Sequence, residues 1–210
     1  MLYTIREIFY TLQGEGAQSG RPAVFLRFTG CNFWNGKEED RASAICNFCD
    51  TDFIGIDGSF GGKYNSKELV EVISSLWPDM KKGKPYVVCT GGEPLLQLDD
   101  ELIEKLHLKG FEVGVETNGS IKVPNGIDWI CMSPKNNENI MVHSGDELKF
   151  IFPQTTIKPE DFSHLDFSHF YIQAMDGPDK DKNLQLAIDF CLNNPQWKHS
   201  LQSHKIIGLR

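Results

Sequence analysis

The sequence predicts an α/β fold assembled from parallel strand–helix units, and three observations carry that expectation. Short runs rich in β-branched and aromatic residues alternate with segments of helical periodicity, glycine-rich or polar clusters recur just after the runs, and 210 residues suffice for one core. A chain of this length buries roughly 70% of its unfolded surface. A single domain over residues 1–210 is expected, without repeats or linkers.

The first strand-like run is AVFLRF at 23–28. YVVC follows at 86–89, then EVGVE at 112–116, WICMS at 129–133, ELKFIF at 147–152 and FYIQ at 170–173, which makes six strands. Helices fill two of the gaps and a third follows the last run. Ser66 is expected to cap one that runs to Trp77 with Leu69, Val70, Ile73 and Leu76 on one face. Asp99 opens a second, whose Leu102, Ile103 and Leu106 align, and a third covers about 182–192 and stops near Pro195. Two connections, 30–64 and 136–146, are too long and too rich in glycine or polar residues for simple turns, so both are candidate functional loops.

Composition removes several classes. The net charge is −8 and the sequence pI about 5.2; no basic face is at hand to neutralise a phosphate backbone, so nucleic acid is not an expected partner. A mean hydropathy of −0.32 with 24% charged residues belongs to a soluble globular chain. No apolar run nears the roughly 20 residues of a membrane span. The start, MLYTIREIFYT, lacks a signal-peptide pattern, and a cytoplasmic location away from membranes is expected.

Six cysteines divide into two groups. Cys89, Cys131 and Cys191 sit in apolar segments and read as small core residues. Cys31, Cys46 and Cys49 share one stretch, GCNFWNGKEEDRASAICNFCDTDF, directly after the first strand. Three thiolates can hold three irons of a cubane cluster and leave the fourth iron open to a ligand. Structural zinc usually adds a second ligand pair, and none is present, but on the cysteines alone a cluster, zinc and a redox role all stand.

The other polar clusters fall where the remaining strands end, the ligand face of a parallel sheet or barrel. Thr90-Gly91-Gly92-Glu93-Pro94 follows YVVC, Glu116-Thr117-Asn118-Gly119 closes EVGVE, and Ser133-Pro134-Lys135 closes WICM. Two glycines let backbone approach a ligand closely, and Glu93 offers an acceptor. Any one of these could be a polar strand end; their recurrence after successive strands, beside a three-cysteine loop, points to one site.

With these motifs in place the sequence resembles the radical S-adenosylmethionine (SAM) superfamily and, more narrowly, the 7-carboxy-7-deazaguanine synthase family. The resemblance runs through EIFYTLQGEG (7–16), GRPAVFLRFTGCN (20–32), CNFCDTDF (46–53), CTGGEPLLQ (89–97), VETNGS (115–120), DWICMSPK (128–135) and QAMDGP (173–178). One departure matters. The superfamily's usual triad is CxxxCxxC, whereas the first gap here is fourteen residues, a lengthening similar to that in a subset of the synthases.

The resemblance implies a trimmed, incomplete parallel (β/α) barrel of about six strands, with an extended cluster-binding loop at about 30–64. A [4Fe–4S] cluster on Cys31, Cys46 and Cys49 would chelate SAM through its fourth iron and, on reduction, release a 5′-deoxyadenosyl radical. For SAM the matching positions are Phe48, Cys49, Asp50, Gly92, Ser133, Pro134, Lys135, Gln173, Ala174, Met175 and Asp176, with Glu116 and Asn118 as second choices. For substrate they are Leu12, Gln13, Gly14, Glu15, Arg27 and Thr90, together with His204 and Arg210 in the tail. Arg27 can clasp a carboxylate with its planar fork or serve as a structural ion-pair residue. Thr51 matches a position that offers a hydroxyl to Mg²⁺, while Asp50 and Asp52 either support it or cap the loop.

The implied reaction is ring contraction of 6-carboxy-5,6,7,8-tetrahydropterin to 7-carboxy-7-deazaguanine with loss of ammonia, on the way to queuosine. Flavodoxin or ferredoxin would supply the electron, and a homodimer is implied. Two other readings remain: a zinc or redox scaffold, which leaves TGGEP, ETNG and SPK as coincident turns, and a glycyl-radical-activating enzyme acting on a protein side chain. QGEG and Arg27 favour a small acidic heterocycle instead.

Overall fold

One sheet of nine strands organises residues 1–209, the part of the chain that this computed structural model describes. The strands are β1 (Tyr3–Leu12), β2 (Pro22–Phe28), β3 (Gly62–Tyr64), β4 (Tyr86–Gly91), β5 (Glu112–Thr117), β6 (Trp129–Met132), β7 (Ser144–Phe152), β8 (Asp166–Ala174) and β9 (Lys198–Ser200). The helices are α1 (Ser66–Leu76), α2 (Asp100–Leu108), α3 (Lys180–Asn193) and α4 (Ser203–Ile207). In space the order is β3-β1-β2-β4-β5-β6-β7-β8-β9, and the two edge strands do not pair with each other, so the barrel is incomplete.

The six strands read from the sequence are β2 and β4 to β8, and they pair in parallel with one another. Three more strands extend this set: β9 continues it in parallel, while β1 and β3 add antiparallel ribbons at the other end. A register shift lies between Ile5 and Glu7, so Ile5 and Ile8 both turn to the core, and the period-two pattern that marks a strand is lost from β1. With three residues each, β3 and β9 are too short to show a period.

Alternation along the strands separates two faces. Val24, Leu26 and Phe28 of β2, Val87 and Cys89 of β4, and Val113 and Val115 of β5 point outward, where α1 and α2 cover them with Leu69, Ile73, Leu102 and Leu106. A second apolar group joins Met132, Leu148, Phe150 and Ile172 to Ala187 of α3 and to Trp197. The opposite parity faces the hollow of the sheet and carries the polar residues. No helix among the described residues is long and apolar enough to cross a membrane.

Two local expectations change. The cap of α1 is Asn65 rather than Ser66: its side chain accepts from Glu68 N at 3.0 Å while Glu68 answers to Asn65 N at 3.0 Å. Ser66 is the first helical residue, and its hydroxyl bonds Glu101 of α2 instead. The 136–146 connection is no site loop. Met141 N is bonded to Gly119 O at 2.8 Å, Val142 is buried and Asp146 accepts from Ile130 N, all outside the hollow of the sheet.

Asn65→Ala should lower the unfolding free energy by about 0.5–2 kcal/mol, the usual worth of such a cap. Urea denaturation measures it, and the spectroscopic signature of the site should be unchanged.

Candidate active site

The hollow of the sheet is a cavity of about 440 Å³ that opens at the C-terminal ends of the parallel strands. Inward positions supply Arg27 from β2, Thr90 from β4, Glu116 from β5, Cys131 from β6, Lys149 from β7 and Gln173 from β8. The strand-end motifs add Gly92, Asn118, Ser133, Lys135, Ala174, Met175 and Asp176, and the cluster loop adds Cys31, Cys46, Phe48, Cys49, Asp50 and Thr51. Leu12, Gln13, Gly14 and Glu15 form one wall, with His204, Lys205 and Leu209 of the C-terminal segment over it. Of the candidates read from the sequence, Pro134 and Glu93 stay out of the lining among the described residues; Pro134 is buried, and its carbonyl accepts from Gln154 Nε2. Arg210 lies outside the described residues.

The long cysteine loop returns on itself through two residues that the motif does not include. Trp34 packs edge-on against Phe53 at 5.6 Å, and Arg41 lies 4.0 Å over the Trp34 ring while donating to the carbonyls of Asn47 and Cys49. Ile45 N bonds Phe33 O at 3.1 Å. These contacts bring the arm after Cys31 against the arm before Cys46, so a fourteen-residue gap ends with both thiols on one cavity wall.

Glycine at 92 follows from packing: a Cβ there would stand 2.1 Å from Gly30 O and 2.7 Å from Cys31 Cβ. Glu93 is not a ligand acceptor as the sequence suggested. It is fully buried and takes hydrogen bonds from Leu95 N, Thr117 Oγ1 and Asn118 N, locking the β4 turn to the end of β5. Burial pushes its carboxyl pKa up, and those three donors hold it back. Asn118 reaches the cysteine loop by donating to Asn32 Oδ1 at 3.0 Å.

All three site cysteines are free thiols. A hydrogen bond with Cys46 pulls Cys49 down to about 6 against the effect of burial, with Lys135 adding to the pull, whereas the Cys46 thiol is pushed up. Lys135, itself lowered by burial, sits 5.7 Å from the Phe48 ring centre and donates to Ser133 Oγ at 2.5 Å. Cys89 is fully buried in the core as expected; Cys131 is buried but touches the cavity, and Cys191 is half-buried on α3.

The substrate wall is strongly ionic. Arg27 Nε pairs with Glu7 Oε1 at 3.0 Å, so the structural ion pair exists, while no hydrogen bond or ion pair among the described residues uses its two terminal nitrogens. Gln13 donates to Glu116 Oε1 at 2.8 Å and accepts from Gly14 N and Glu15 N. Gly14 leaves room for His204, whose Nδ1 would be 2.1 Å from an added Cβ. Lys205 spans Asp50 at 2.7 Å and Asp176 at 2.6 Å, tying the cluster loop to the end of β8. Asp52 is taken by Arg6 at 2.6 Å. Lys149, Lys205, Trp34 and Arg41 are absent from the sequence reading. Only Lys149 left a signal, a lysine set between the apolar Leu148 and Phe150 of β7.

Comparison with known proteins decides the family. The Radical SAM superfamily model matches residues 40–159, beginning beyond Cys31. A 7-carboxy-7-deazaguanine synthase of Caulobacter vibrioides is 54% identical with both chains fully covered, and one of Burkholderia multivorans is likewise 54% identical over the full length of both. The crystal structure of QueE from Escherichia coli superposes with a TM-score of 0.67 at 26% identity, covering 97% of this chain and 95% of that one. The chain belongs to the 7-carboxy-7-deazaguanine synthase family. It is a radical SAM lyase, and radical SAM enzymes use a [4Fe–4S] cluster and SAM.

The residues fit that cofactor pair. Soft thiolates are the donors that iron–sulfur clusters take, and three of them share a wall with an open cavity in front. Among the described residues no three His, Cys, Asp or Glu side chains converge on a single-ion position. A cubane needs none, since its thiolates bind different irons.

Cys31→Ala, Cys46→Ala and Cys49→Ala should each abolish the stable cluster, because two thiolates leave a cubane underligated. Cys89→Ala should keep it. Iron content and the visible spectrum after anaerobic reconstitution report both outcomes.

Proposed function

We propose that this chain contracts the ring of 6-carboxy-5,6,7,8-tetrahydropterin to 7-carboxy-7-deazaguanine with release of ammonia, a redox-neutral step toward queuosine and other deazapurines. The observation that carries the reading is the single cavity: Cys31, Cys46 and Cys49 line the same space as Gln13, Glu15 and Arg27, so the radical source and the substrate wall face each other. A space of about 440 Å³ also suits a small heterocycle better than the protein segment of a glycyl-radical-activating enzyme.

In this reading Cys31, Cys46 and Cys49 hold the cluster, and Phe48, Cys49, Asp50, Gly92, Ser133 to Lys135 and Gln173 to Asp176 surround SAM, with Glu116 and Asn118 at its edge. Bound there, the pair would supply hydrogen-atom abstraction from the substrate. The chain's own part is to orient and enclose. Pro134 acts only through its neighbours, being out of the cavity lining. Leu12, Gln13, Gly14 and Glu15 frame the pterin ring, His204 closes over Gly14, and Thr90 offers a hydroxyl. Arg27 binds the carboxylate through its two terminal nitrogens while Glu7 fixes the fork by Nε.

Mg²⁺ belongs to the proposal at Thr51, whose hydroxyl would hold it together with oxygens of the substrate and water, since Asp50 and Asp52 are already paired. The chain works as one domain with the 30–64 segment as its cluster loop. A flavodoxin or ferredoxin as electron donor and a homodimeric assembly complete the reading.

The decisive experiment is anaerobic turnover with the pterin, SAM and dithionite, followed by mass spectrometry. The expected product is lighter than substrate by one ammonia, and intact SAM persists. Omitting Mg²⁺ should slow the reaction, and Thr51→Ala should blunt that response without loss of cluster; equal rates in chelator would leave Thr51 a loop cap. No deazaguanine product from a fully loaded enzyme would overturn the proposal.

Arg27→Lys should impair turnover with cluster and cofactor intact, because a charge-assisted hydrogen bond is worth roughly 1.5–3 kcal/mol and an ammonium cannot reproduce the fork. A misplaced hydrogen wastes the radical, so 5′-deoxyadenosine per product should rise. Wild-type affinity and coupling in this variant would place the carboxylate elsewhere.

A further inference from the structure

Among the described residues Lys149 is the one buried cation that faces the substrate wall. The residue is 4% exposed on the inward face of β7, and its ammonium lies 2.5 Å from Glu15 Oε2 and 3.6 Å from Glu116 Oε2. These carboxylates come from different elements, the β1–β2 connection and the end of β5, and both line the cavity. Gln202 Nε2 holds Glu15 Oε1 at 3.0 Å and Gln13 Nε2 holds Glu116 Oε1 at 2.8 Å. An ionised carboxylate has about four acceptor positions. Each of the two therefore keeps lone pairs for a ligand.

Charge balance points the same way. Glu147 is also buried near the ammonium, but its Oε2 is committed to Ala17 N at 2.8 Å, and burial raises its pKa while Lys149 and that hydrogen bond pull it back. Burial opposes the charge of Glu15, and Lys149 overcomes it to bring Glu15 down to about 2; the same pairing holds the lysine well above its ordinary value. Two carboxylates then share one ammonium. The remaining negative charge suits a ligand that brings N–H donors, as the amino group and ring N–H groups of a reduced pterin do.

We propose that Lys149 is a positioning residue that holds Glu15 and Glu116 together as one acceptor pair for the N–H groups of the substrate ring, so that Glu116, at the border between SAM and substrate, gives its free acceptors to the substrate side. The inference rests on the pterin reading, and the wild-type enzyme in the same assay separates the two: no turnover by wild type overturns that reading, whereas the variants below test only Lys149. The titratable groups facing the pair are Glu147 of β7, Cys131 of β6, Tyr171 of β8, Tyr86 of β4, Lys135 after β6 and His204 of α4. Lys149→Met and Lys149→Arg share every one of them, so a difference between these two variants reports the charge at position 149.

Lys149→Met should keep cluster content and SAM binding but raise KM for the pterin at least about 30-fold, since truncating one partner of a buried charge pair costs about 2 kcal/mol or more. The acid limb of kcat/KM should move to higher pH, because carboxylates without the ammonium protonate more readily. Lys149→Arg should restore the limb and much of KM. A purely structural lysine would lower the active fraction and move neither KM nor the limb, and that result overturns the inference. Should Lys149→Met lose the cluster, the double variant Glu15→Gln with Lys149→Gln replaces the ion pair by two amides. Cluster regained with KM still raised supports the proposal; wild-type KM, or loss of cluster in this variant too, overturns it.

Discussion

The site depends on a gap that strand pairing leaves open. The sheet runs from β3 to β9 without closing, yet the turn after β1 reaches the other end of the sheet through individual bonds. Gly16 N donates to Ser200 Oγ at 2.9 Å, Ser203 N to Gly14 O at 2.9 Å, and Ala17 N to Glu147 Oε2 at 2.8 Å. Ser200 in turn donates to Gln173 Oε1 at 3.0 Å. The same Gln13-Gly14-Glu15 segment that offers acceptors to the cavity thus completes the barrel wall. Because these individual bonds satisfy the main-chain groups of the segment, the Glu15 carboxylate is left to face the cavity.

Electrostatics then fixes what that wall can accept. Buried ionised groups are tolerated only in pairs or with full hydrogen bonding. Glu93 satisfies the second condition with three donors and no cation in contact, and so it serves as a structural brace between two strand-end motifs. Glu15 and Glu116 satisfy the first through Lys149. Two carboxylates in neighbouring strand-end motifs, Glu93 and Glu116, therefore have opposite fates: one spends its acceptors on the protein, while the other keeps some for the cavity.

The parallel strands and the polar clusters at their ends were legible because both leave periodic or compositional marks. Six strands, three of the four helices, the cysteine loop and the strand-end clusters follow from those marks, while the remaining cavity-lining candidates came from the family resemblance. What escaped reading has a physical reason in each case. β1 carries a register shift that erases alternation, and β3, β9 and α4 are too short for any period. The role of Glu93 was misjudged because the direction of a side chain after a double glycine is set by packing, here against Gly30 and the end of β5. Lys149 and Lys205 gain their meaning only from partners more than a hundred residues or an entire barrel strand away, which no local spacing reveals.

The lengthened cysteine gap shows how a motif can stretch without losing its geometry. Loop closure costs about 0.6 kcal/mol for each doubling of length, so going from the usual three residues to fourteen costs about 1.4 kcal/mol. Contacts of the kind Arg41 makes over Trp34 contribute about 0.5–1 kcal/mol at exposed sites, and the Arg41 bonds to Asn47 and Cys49 carbonyls add to that. The insertion thus carries its own closure. Because those bonds end on the backbone of Cys49 itself, the loop anchors to the cysteine pair directly, and Cys31 is returned to the cavity wall by packing within the insertion rather than by the spacing of the motif.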